Sequence, residues 1–569
     1  MGVCPVSGLV KIMKNKLFIL VLLMFSFAKA MVLFVPIQDP VYDYLERMAT
    51  RGYIPEFMND TRPLLRDDIA KQLLKMEKYV AELPRVDREM LRDYMSEYRH
   101  ELTELRHPVI SEGNDYRLGI ASFGNFKEDL RHVFRDDLSE ERRHIYTYED
   151  GKTTVWVGSD FMARAESKGL HVRTVDKLGG QAFIQAGEHL AFYADAYFFH
   201  QIMNDQYPGT VKEYKGYWLN EHEFDRIATF DCSEAYANLS GNFGTLSIAH
   251  HPVSWGNAMN SVILSENAIT FGSLRWMKQF RHFKYSFLHG SLMTPTFARM
   301  DDDGRYFIPK YLVAHRLEIH LSPRIHVNFS EMITYGGEDR IPELTYLVPL
   351  IFLWPSEHAL GDRDNKMIAL EAEVFPLNGL RLFGTVFLDE LVFGQIFNDF
   401  WANKYALQGG FQISPRRIPA DLVVEATAVH PWTYTHRFVY GNYTHHGRDL
   451  GFFAGPNSRQ LAAKLNYDLS GKHKLILGYT HLQKGADSIL VNDVMYPIGG
   501  DSNQNDYKRS YALDHATSWL MGDVMNTHSL RLEWLYRWRN HIHFLSGCEY
   551  RNVQNEAHMY YSFQINFTY

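Results

Sequence analysis

From about Tyr116 to the C-terminus, apolar side chains recur at every second position of the chain. One such stretch is Leu461, Ala463, Leu465, Tyr467 and Leu469, which alternate with polar or charged residues. The same rhythm returns in 316–329, 370–382 and 530–550. Because successive side chains of a strand point to opposite faces, this period predicts a sheet with one apolar and one polar face.

The strands are about ten residues long and usually end in aromatic residues, which is typical of a transmembrane β-barrel with lipid outside and a polar lumen. The soluble alternative is a sandwich or propeller with one wet face, whose polar side should resemble ordinary protein surface. A polytopic helical membrane protein is excluded, because the mean hydropathy is −0.28 and that class needs several apolar runs of about 20 residues.

Short turns alternate along the chain with long connections. Turns are predicted near 149–152, 186–189, 240–242, 322–324, 376–379, 414–419, 470–472 and 539–540, and long connections at 201–233, 251–268, 294–310, 336–365, 390–403, 430–458 and 485–527. Outer-membrane barrels have short periplasmic turns and long outer loops. With a periplasmic C-terminus, every short turn is predicted to be periplasmic and every long loop external. The count is about 20 strands, of which the first pair lies near 116–124 and 143–150.

The last residues of the chain alternate strictly and finish on an aromatic residue, Tyr569. This ending resembles the C-terminal strand that the outer-membrane insertion machinery recognises, so it predicts that machinery and outer-membrane lipid as partners.

The net charge of −8 argues against nucleic acid as a partner, since nucleic-acid binders usually present a basic face.

The N-terminus has the pattern of a secretory signal peptide. Lys11, Lys14 and Lys16 precede the apolar run 17–27, and Ala28-Lys29-Ala30 follows it as a small-residue cleavage pattern. The alternative is a short membrane anchor. We expect residues 1–30 to be removed on export, and we expect the two remaining cysteines, Cys232 and Cys548, to be free.

Between the signal peptide and the barrel, the apolar period changes from two to about 3.6. Amphipathic helices are predicted over 41–48, 63–79 and 87–105. The sequence therefore predicts a small periplasmic helical bundle over 31–112, followed by an outer-membrane barrel over 113–569 in a Gram-negative-type envelope.

Charges of both signs fall on the polar faces of the predicted strands. They are Arg316, Glu318, Glu331, Glu371, Glu373, Arg531, Glu533 and Arg537. A selective pore favours rings of one sign, so mixed charge favours a salt-bridged lumen filling over a pore. The alternative that remains open is a porin-like channel for small polar or anionic solutes.

The predicted outer loops are rich in aromatic and polar residues, a mixture that suits sugar binding by ring stacking and hydrogen bonding. The candidate polysaccharide-binding residues are Trp255, Trp432, Tyr434, His436, Tyr443 and His445. Aromatic residues near strand ends also form the membrane girdle, which is the alternative for each of them. We find no catalytic constellation, no cofactor fingerprint and no spacing that favours a metal site, so the sequence predicts a protein that is not an enzyme.

Several motifs in a fixed order resemble the capsule-assembly Wzi-type outer-membrane proteins. They are 246–256, 264–275, 315–318, 330–337, 361–365, 388–390, 431–436, 442–447 and 450–458. The resemblance implies an 18-strand barrel with a periplasmic helical bundle at its base. It also implies a non-enzymatic protein that holds capsular polysaccharide or exopolysaccharide on the outer membrane in a lectin-like way. The motifs do not define which residues contact the polymer.

Overall fold

A computed structural model gives the fold of the chain. It describes residues 32–106, 115–118, 131–140, 143–149, 153–203, 227–301, 304–395, 398–506 and 517–569. The predicted signal peptide, residues 1–30, lies outside the described residues, as do 204–226 and 507–516 of two predicted loops.

The predicted barrel is confirmed, with 18 antiparallel strands. In chain order, β1 to β18 are Thr153–Lys168, His171–Ala186, Leu190–Met203, Ile227–Gly241, Gly244–His250, Gly272–Gln279, Phe283–Asp301, Gly304–Ser322, Ile325–Gly336, Asn365–Leu377, Leu380–Glu390, Lys404–Ile413, Ala420–Val429, Ser458–Ser470, His473–Lys484, Met525–Arg539, Ile542–Val553 and Glu556–Thr568. Each strand pairs with the next, and β18 closes the cylinder against β1, with Thr568 opposite Asp160.

Two short strands account for the difference between the 20 strands counted in the sequence and the 18 of the barrel. Asp115–Leu118 pairs with Tyr146–Glu149, which in turn pairs with the first residues of β1. The ladder between β1 and β18 begins at Asp160, beyond these pairings, so the two strands extend the sheet without entering the closed ring.

The barrel has a turn end, where Tyr569 and most short turns lie, and a loop end. The predicted turns at 240–242, 322–324 and 470–472 are all at the turn end. The expectation that every short turn shares one end is wrong, because two-residue turns at 169–170 and 554–555 join strands at the loop end. Gly169, Gln554 and Asn555 adopt positive φ there, which suits tight hairpins.

The outer face of the strands is apolar over a continuous band, which we call the apolar belt. Among its exposed members are Leu370, Val386, Leu407, Leu461, Leu477, Leu530, Leu532 and Phe563. Their strand neighbours on the opposite face are buried polar groups such as Glu371 and Gln408. In the described part of the chain, no helix is long and apolar enough to cross a membrane.

The N-terminal region is helical, as predicted, but has four helices and not three. They are α1, Pro40–Thr50, α2, Arg66–Met76, α3, Arg85–Glu97, and α4, Arg99–Arg106. Asp39 caps α1 by accepting the backbone N–H of Val41 at 2.9 Å. The third predicted helix is divided at Tyr98, which leaves the helical conformation. Tyr98 is buried with the apolar faces of all four helices in one core.

The helical bundle is fixed to the barrel wall at the turn end. Arg47 of α1 is 1% exposed and donates to Asp421 of β13 at 2.6 Å and to Asp468 of β14 at 2.5 Å. It also pairs with Asp87 of the bundle at 2.9 Å. The bundle is therefore anchored at this mouth of the barrel by a buried arginine with three carboxylate partners.

Candidate functional site

The candidate site is the lumen and the loop end above it, where two chain segments meet inside the barrel. Residues 57–62 run from the bundle into the lumen, and Thr61–Arg62 pairs there with Ser254–Trp255. Residues 251–271, which we call the inner loop, fold inward from the loop end. The lumen is thus entered by protein from both mouths.

Two glutamates of the barrel wall hold the inner loop by its backbone. Glu371 of β10 accepts the N–H of Asn257 at 3.0 Å. Glu425 of β13 accepts the N–H of Met259 at 2.7 Å and that of Asn260 at 3.3 Å. Buried carboxylates that accept several donors are strong anchors, so the wall fixes a loop whose only strand is the short Ser254–Trp255.

Arg381 of β11 joins the wall, the bundle and the inner loop. Its guanidinium donates to Glu373 of β10 at 2.7 Å, to Glu46 of α1 at 2.6 Å and to the carbonyl of Asn257. Burial raises the pKa of Glu46, and the positive charge of Arg381 opposes that shift. Glu373, one of the charges predicted for the lumen, therefore contributes to a junction of the barrel wall, the helical bundle and the inner loop.

Arg316 and Glu318 of β8 lie in the same buried part of the lumen. Arg316 donates to Glu371, and its Nε is 3.8 Å from Glu318. Lys284 of β7 contacts Glu318 at 3.0 Å. These side chains are essentially inaccessible, so on this side the mixed charges are neutralised in pairs beneath the inner loop.

The predicted charges on β16 lie in a different environment. The Arg531 side chain is 43% exposed and 3.7 Å from Glu533. Arg531 lines a cavity of about 1030 Å³ whose other walls include Asp43 and Lys464. Arg537 donates to the carbonyl of Gly471 in a turn at the turn end. The lumen is therefore packed on one side and open on the other.

Glu331, predicted for the lumen, faces the outside of the barrel. On β9 the lumen-facing residues are Asn328, Ser330 and Met332, and Glu331 falls between them on the opposite face. Its carboxylate accepts the N–H of Leu353 at 2.9 Å and that of Trp354 at 2.6 Å. A helix N-terminus satisfies this charge, which explains how a glutamate stays buried on the outer wall.

The aromatic residues predicted to contact sugar instead hold the loops together. The hydroxyls of Tyr434 and Tyr443 donate to successive carbonyls of the inner loop, Val262 and Ile263, each at 2.7 Å. Both tyrosines are fully buried. Because no part of either ring reaches the surface, their position does not fit direct contact with a polymer.

Three other predicted residues are similarly placed. Trp432 is 3% exposed and donates its backbone N–H to the carbonyl of Gly499, while His445 accepts the backbone N–H of Met293 at 3.0 Å. Trp255 is 2% exposed in the lumen. These residues belong to the plug formed by the inner loop and 430–457, and their predicted role as a contact surface does not fit their burial.

His436 is half-buried and leads to an aromatic pair that the sequence analysis did not identify. Phe438 and Tyr440 stack with ring centroids 5.1 Å apart and planes 12° apart. Arg437 lies 5.1 Å over the Phe438 ring, which is 39% exposed. Burial lowers the pKa of His436 to about 3, so His436 is neutral near pH 7. Aromatic residues two positions apart beside an arginine are the only sequence signal for this pair.

One group of side chains at the loop end has the composition of a metal site. Glu357, His358 and Asp362 bring ligand atoms close together. Lys366 lies among them, with Nζ 3.0 Å from Glu357, 2.7 Å from His358 and 3.0 Å from Asp362. The ammonium group supplies the positive charge in this arrangement, so the group is built as an ion-pair cluster.

Comparison with known proteins gives the same architecture. The family model described as capsule assembly protein Wzi matches residues 153–542. The structure of Wzi from Escherichia coli, described as an outer membrane protein involved in group 1 capsule assembly and a carbohydrate-binding β-barrel, is 11% identical. That match covers 94% of this chain and 99% of the other, with a TM-score of 0.54, and at this identity it shows the fold alone.

Two further solved structures give weaker matches. OprD from Pseudomonas aeruginosa is 10% identical over 73% of this chain and 94% of that chain, with a TM-score of 0.40. OccAB2 from Acinetobacter baumannii is 10% identical over 73% and 98%, with a TM-score of 0.42. No curated protein sequence matches the chain. Because the family model covers more than half of its length, the chain belongs to the capsule assembly protein Wzi family.

Proposed function

We propose that this protein resides in the outer membrane and binds capsular polysaccharide or exopolysaccharide at the loop end, which faces outward, while the helical bundle lies in the periplasm. Family membership and the carbohydrate binding described for Escherichia coli Wzi support this function. The observation that carries it is the occupied lumen, since a barrel entered by protein from both mouths offers the polymer its loop surface. The protein acts by binding and carries out no covalent chemistry.

The contact surface that we propose is the pair Phe438 and Tyr440 with the neighbouring Arg437 and His436. Aromatic rings stack on the CH faces of sugars, and an arginine beside them donates hydrogen bonds to hydroxyl or carboxylate groups. Arg437 also donates to the carbonyl of Asp362 at 2.8 Å, which fixes its position across the rim. Each contact is weak, but a long polymer engages many copies at once and is retained by avidity.

The test is binding of the polysaccharide made by the encoding bacterium to the purified protein in lipid nanodiscs. The double variant Phe438→Ala, Tyr440→Ala should bind about fivefold or more weakly, because each lost aromatic contact costs about 0.5–1.5 kcal/mol and two are lost. Cells that carry the variant should also retain less polymer on their surface.

The matched control is a second stacked pair at the opposite end of the barrel. Phe280 and Phe283 have ring centroids 4.2 Å apart and planes 20° apart. The variant Phe280→Ala, Phe283→Ala should bind polymer like the wild type. Equal binding by the Phe438 and Tyr440 variant and the wild type would refute the proposed surface, and absence of binding by the wild type would refute the function.

The channel alternative depends on the cavity beside Arg531. The described inner loop and residues 57–62 occupy the lumen next to it, and buried carboxylates hold them. These segments restrict a solute to the open side of the lumen, beside Arg531. We therefore favour binding over transport.

A further inference from the structure

The segment between β9 and β10, residues 337–364, lies on the outer wall of the barrel; we call it the wall segment. It contains a 3-10 turn, Thr345–Leu347, and a short helix, α5, Leu353–Ala359. Tyr346 and Leu353 of this segment form one buried apolar cluster with strand residues Phe287, Val313, Ile333 and Tyr335.

Strand alternation establishes that this cluster is outside the lumen. Leu312 and Ala314, the neighbours of Val313 on β8, belong to the core beneath the plug. Adjacent residues of a strand point to opposite faces, so Val313 points outward. The wall segment therefore covers a part of the barrel that would otherwise continue the apolar belt.

Polar contacts attach the wall segment firmly. Glu331 accepts the first two N–H groups of α5. Arg340 forms a two-pronged pair with Asp364 at 2.5 and 2.7 Å, and Tyr346 donates to the same carboxylate at 3.0 Å. The segment is thus held in one position on the wall by buried charges and hydrogen bonds.

The side of the wall segment that faces away from the barrel is strongly apolar. Its large exposed apolar side chains are Ile341, Leu344, Val348, Leu350, Phe352 and Trp354. The exposed charged or titratable residues of the segment lie toward its two ends; they are Glu338, Asp339, His358, Asp362 and Arg363. Leu344 is 77% and Phe352 75% exposed. Monomeric proteins rarely expose contiguous apolar patches of this kind to water, so this surface requires an apolar partner.

The distance of the wall segment from the loop end, measured along the barrel axis, places its exposed apolar face beside the apolar belt. Glu331, which caps α5, is five residues from Gly336 at the loop end. At about 3.3 Å per residue this is about 17 Å along the strand, or about 13 Å along the barrel axis for a tilt of about 40°. The apolar band of such barrels is about 25 Å tall, so a band whose outer limit lies at Gly336 includes the start of α5. Phe329, two residues further along, is itself an exposed belt residue.

We propose that the wall segment is a lipid-embedded element whose exposed apolar face contacts the acyl chains of the membrane leaflet at the loop end. The exposed face of the wall segment adjoins the apolar belt, and this identifies the partner. Lipid that contacts Phe329 and Leu370 also reaches a segment attached to the same wall. The pairs Arg340–Asp364 and Lys366–Glu357 then give the two buried carboxylates of the segment cationic partners away from lipid.

A nitroxide spin label tests this placement. The protein carries Cys232→Ser and Cys548→Ser, with a single label at Phe352→Cys, and is reconstituted in phospholipid vesicles. Label positions at Leu370→Cys, in the belt, and Asp399→Cys, an exposed loop-end residue, are the lipid and water references. Collision rates with oxygen, which partitions into lipid, and with a water-soluble nickel chelate are compared.

We expect the oxygen-to-nickel ratio at position 352 to match that at position 370 and to exceed that at position 399 several-fold. A ratio like that at 399 would place the face in water and overturn the proposal. Protection from both reagents would also overturn it, since a second copy or another protein would then cover the face. Leu350→Cys provides the same measurement from a neighbouring side chain that is 70% exposed.

Discussion

Arg381 of the barrel wall donates to Glu46 of the helical bundle at 2.6 Å, across 335 residues of sequence. The same guanidinium contacts Glu373 and the carbonyl of Asn257, so one side chain joins the bundle, the wall and the inner loop. The position of the bundle and that of the plug are therefore coupled through a buried charge.

Replacing Arg381 by Ala should release the bundle from the wall. The change leaves Glu46 and Glu373 buried without their main cation, and breaking a buried pair in this way costs about 3–5 kcal/mol. Limited proteolysis of the detergent-solubilised protein should then cleave the bundle faster than in the wild type. Arg531→Ala is the control, because Arg531 borders the open cavity, and protection equal to wild type in R381A would contradict the junction.

Replacing Glu425 by Ala should loosen the inner loop. Met259 and Asn260 lose their acceptor, and hydrogen bonds to a charged group contribute about 1.5–3 kcal/mol. Hydrogen exchange in a peptide that spans 257–260 should accelerate about tenfold or more. Glu533→Ala, on the open side, should leave this peptide unchanged, and slow exchange in E425A would show that other contacts hold the loop.

A substitution at Tyr434 tests whether this residue holds the plug together or contacts sugar. Tyr434→Phe keeps the ring but removes the hydroxyl that donates to Val262, which should cost about 1 kcal/mol of stability. We expect a lower melting temperature with polymer binding unchanged once the protein is folded. A specific loss of polymer binding at wild-type stability would restore this residue to the contact surface.

The docking of the bundle should weaken as pH rises through the mildly acidic range. Burial raises the pKa of Asp93 on α3 from 3.8 to about 6. A carboxyl whose pKa is higher in the folded state binds more protons there, so stability is lost as pH rises from about 4 to about 6. Asp93→Asn should remove this component of the pH dependence of bundle melting.

Glu89 on the same helix changes stability with pH in the opposite direction and serves as the comparison. A hydrogen bond from Arg85 lowers its pKa, so its contribution is present at neutral pH and is lost on acidification. Glu89→Gln should therefore make the bundle relatively less sensitive to acid. An identical pH profile for D93N and the wild type would contradict the assignment for Asp93.

Strand positions were predictable because alternation is a local property. Arg316, Glu318, Glu371 and Glu373 face the lumen as their parity requires. Glu331 has the same parity as Val327 and Phe329, which places it on the outer face, whereas its charge favours the lumen. Its partner, the start of α5, comes from a loop with no periodic pattern. Charge alone does not identify the face when a helix terminus is available to satisfy it.

The loops were not predictable in the same way. Tyr434 and Phe438 stand four residues apart in one aromatic-rich loop, yet the first is fully buried and the second is 39% exposed. The difference arises from the folding of 430–457 against the inner loop, a long-range contact that no local spacing encodes. The entry of residues 57–62 into the lumen depends equally on distant partners such as Glu318.

The claim that the barrel binds polymer and does not conduct is tested most directly by the ionic current that the purified protein carries across a planar lipid bilayer. We expect the wild-type protein to give no steady conductance steps at either polarity, because the inner loop and residues 57–62 occupy the lumen. R381A and E425A should show intermittent openings. Steady ohmic steps from the wild type, comparable with those of an open porin, would contradict the account.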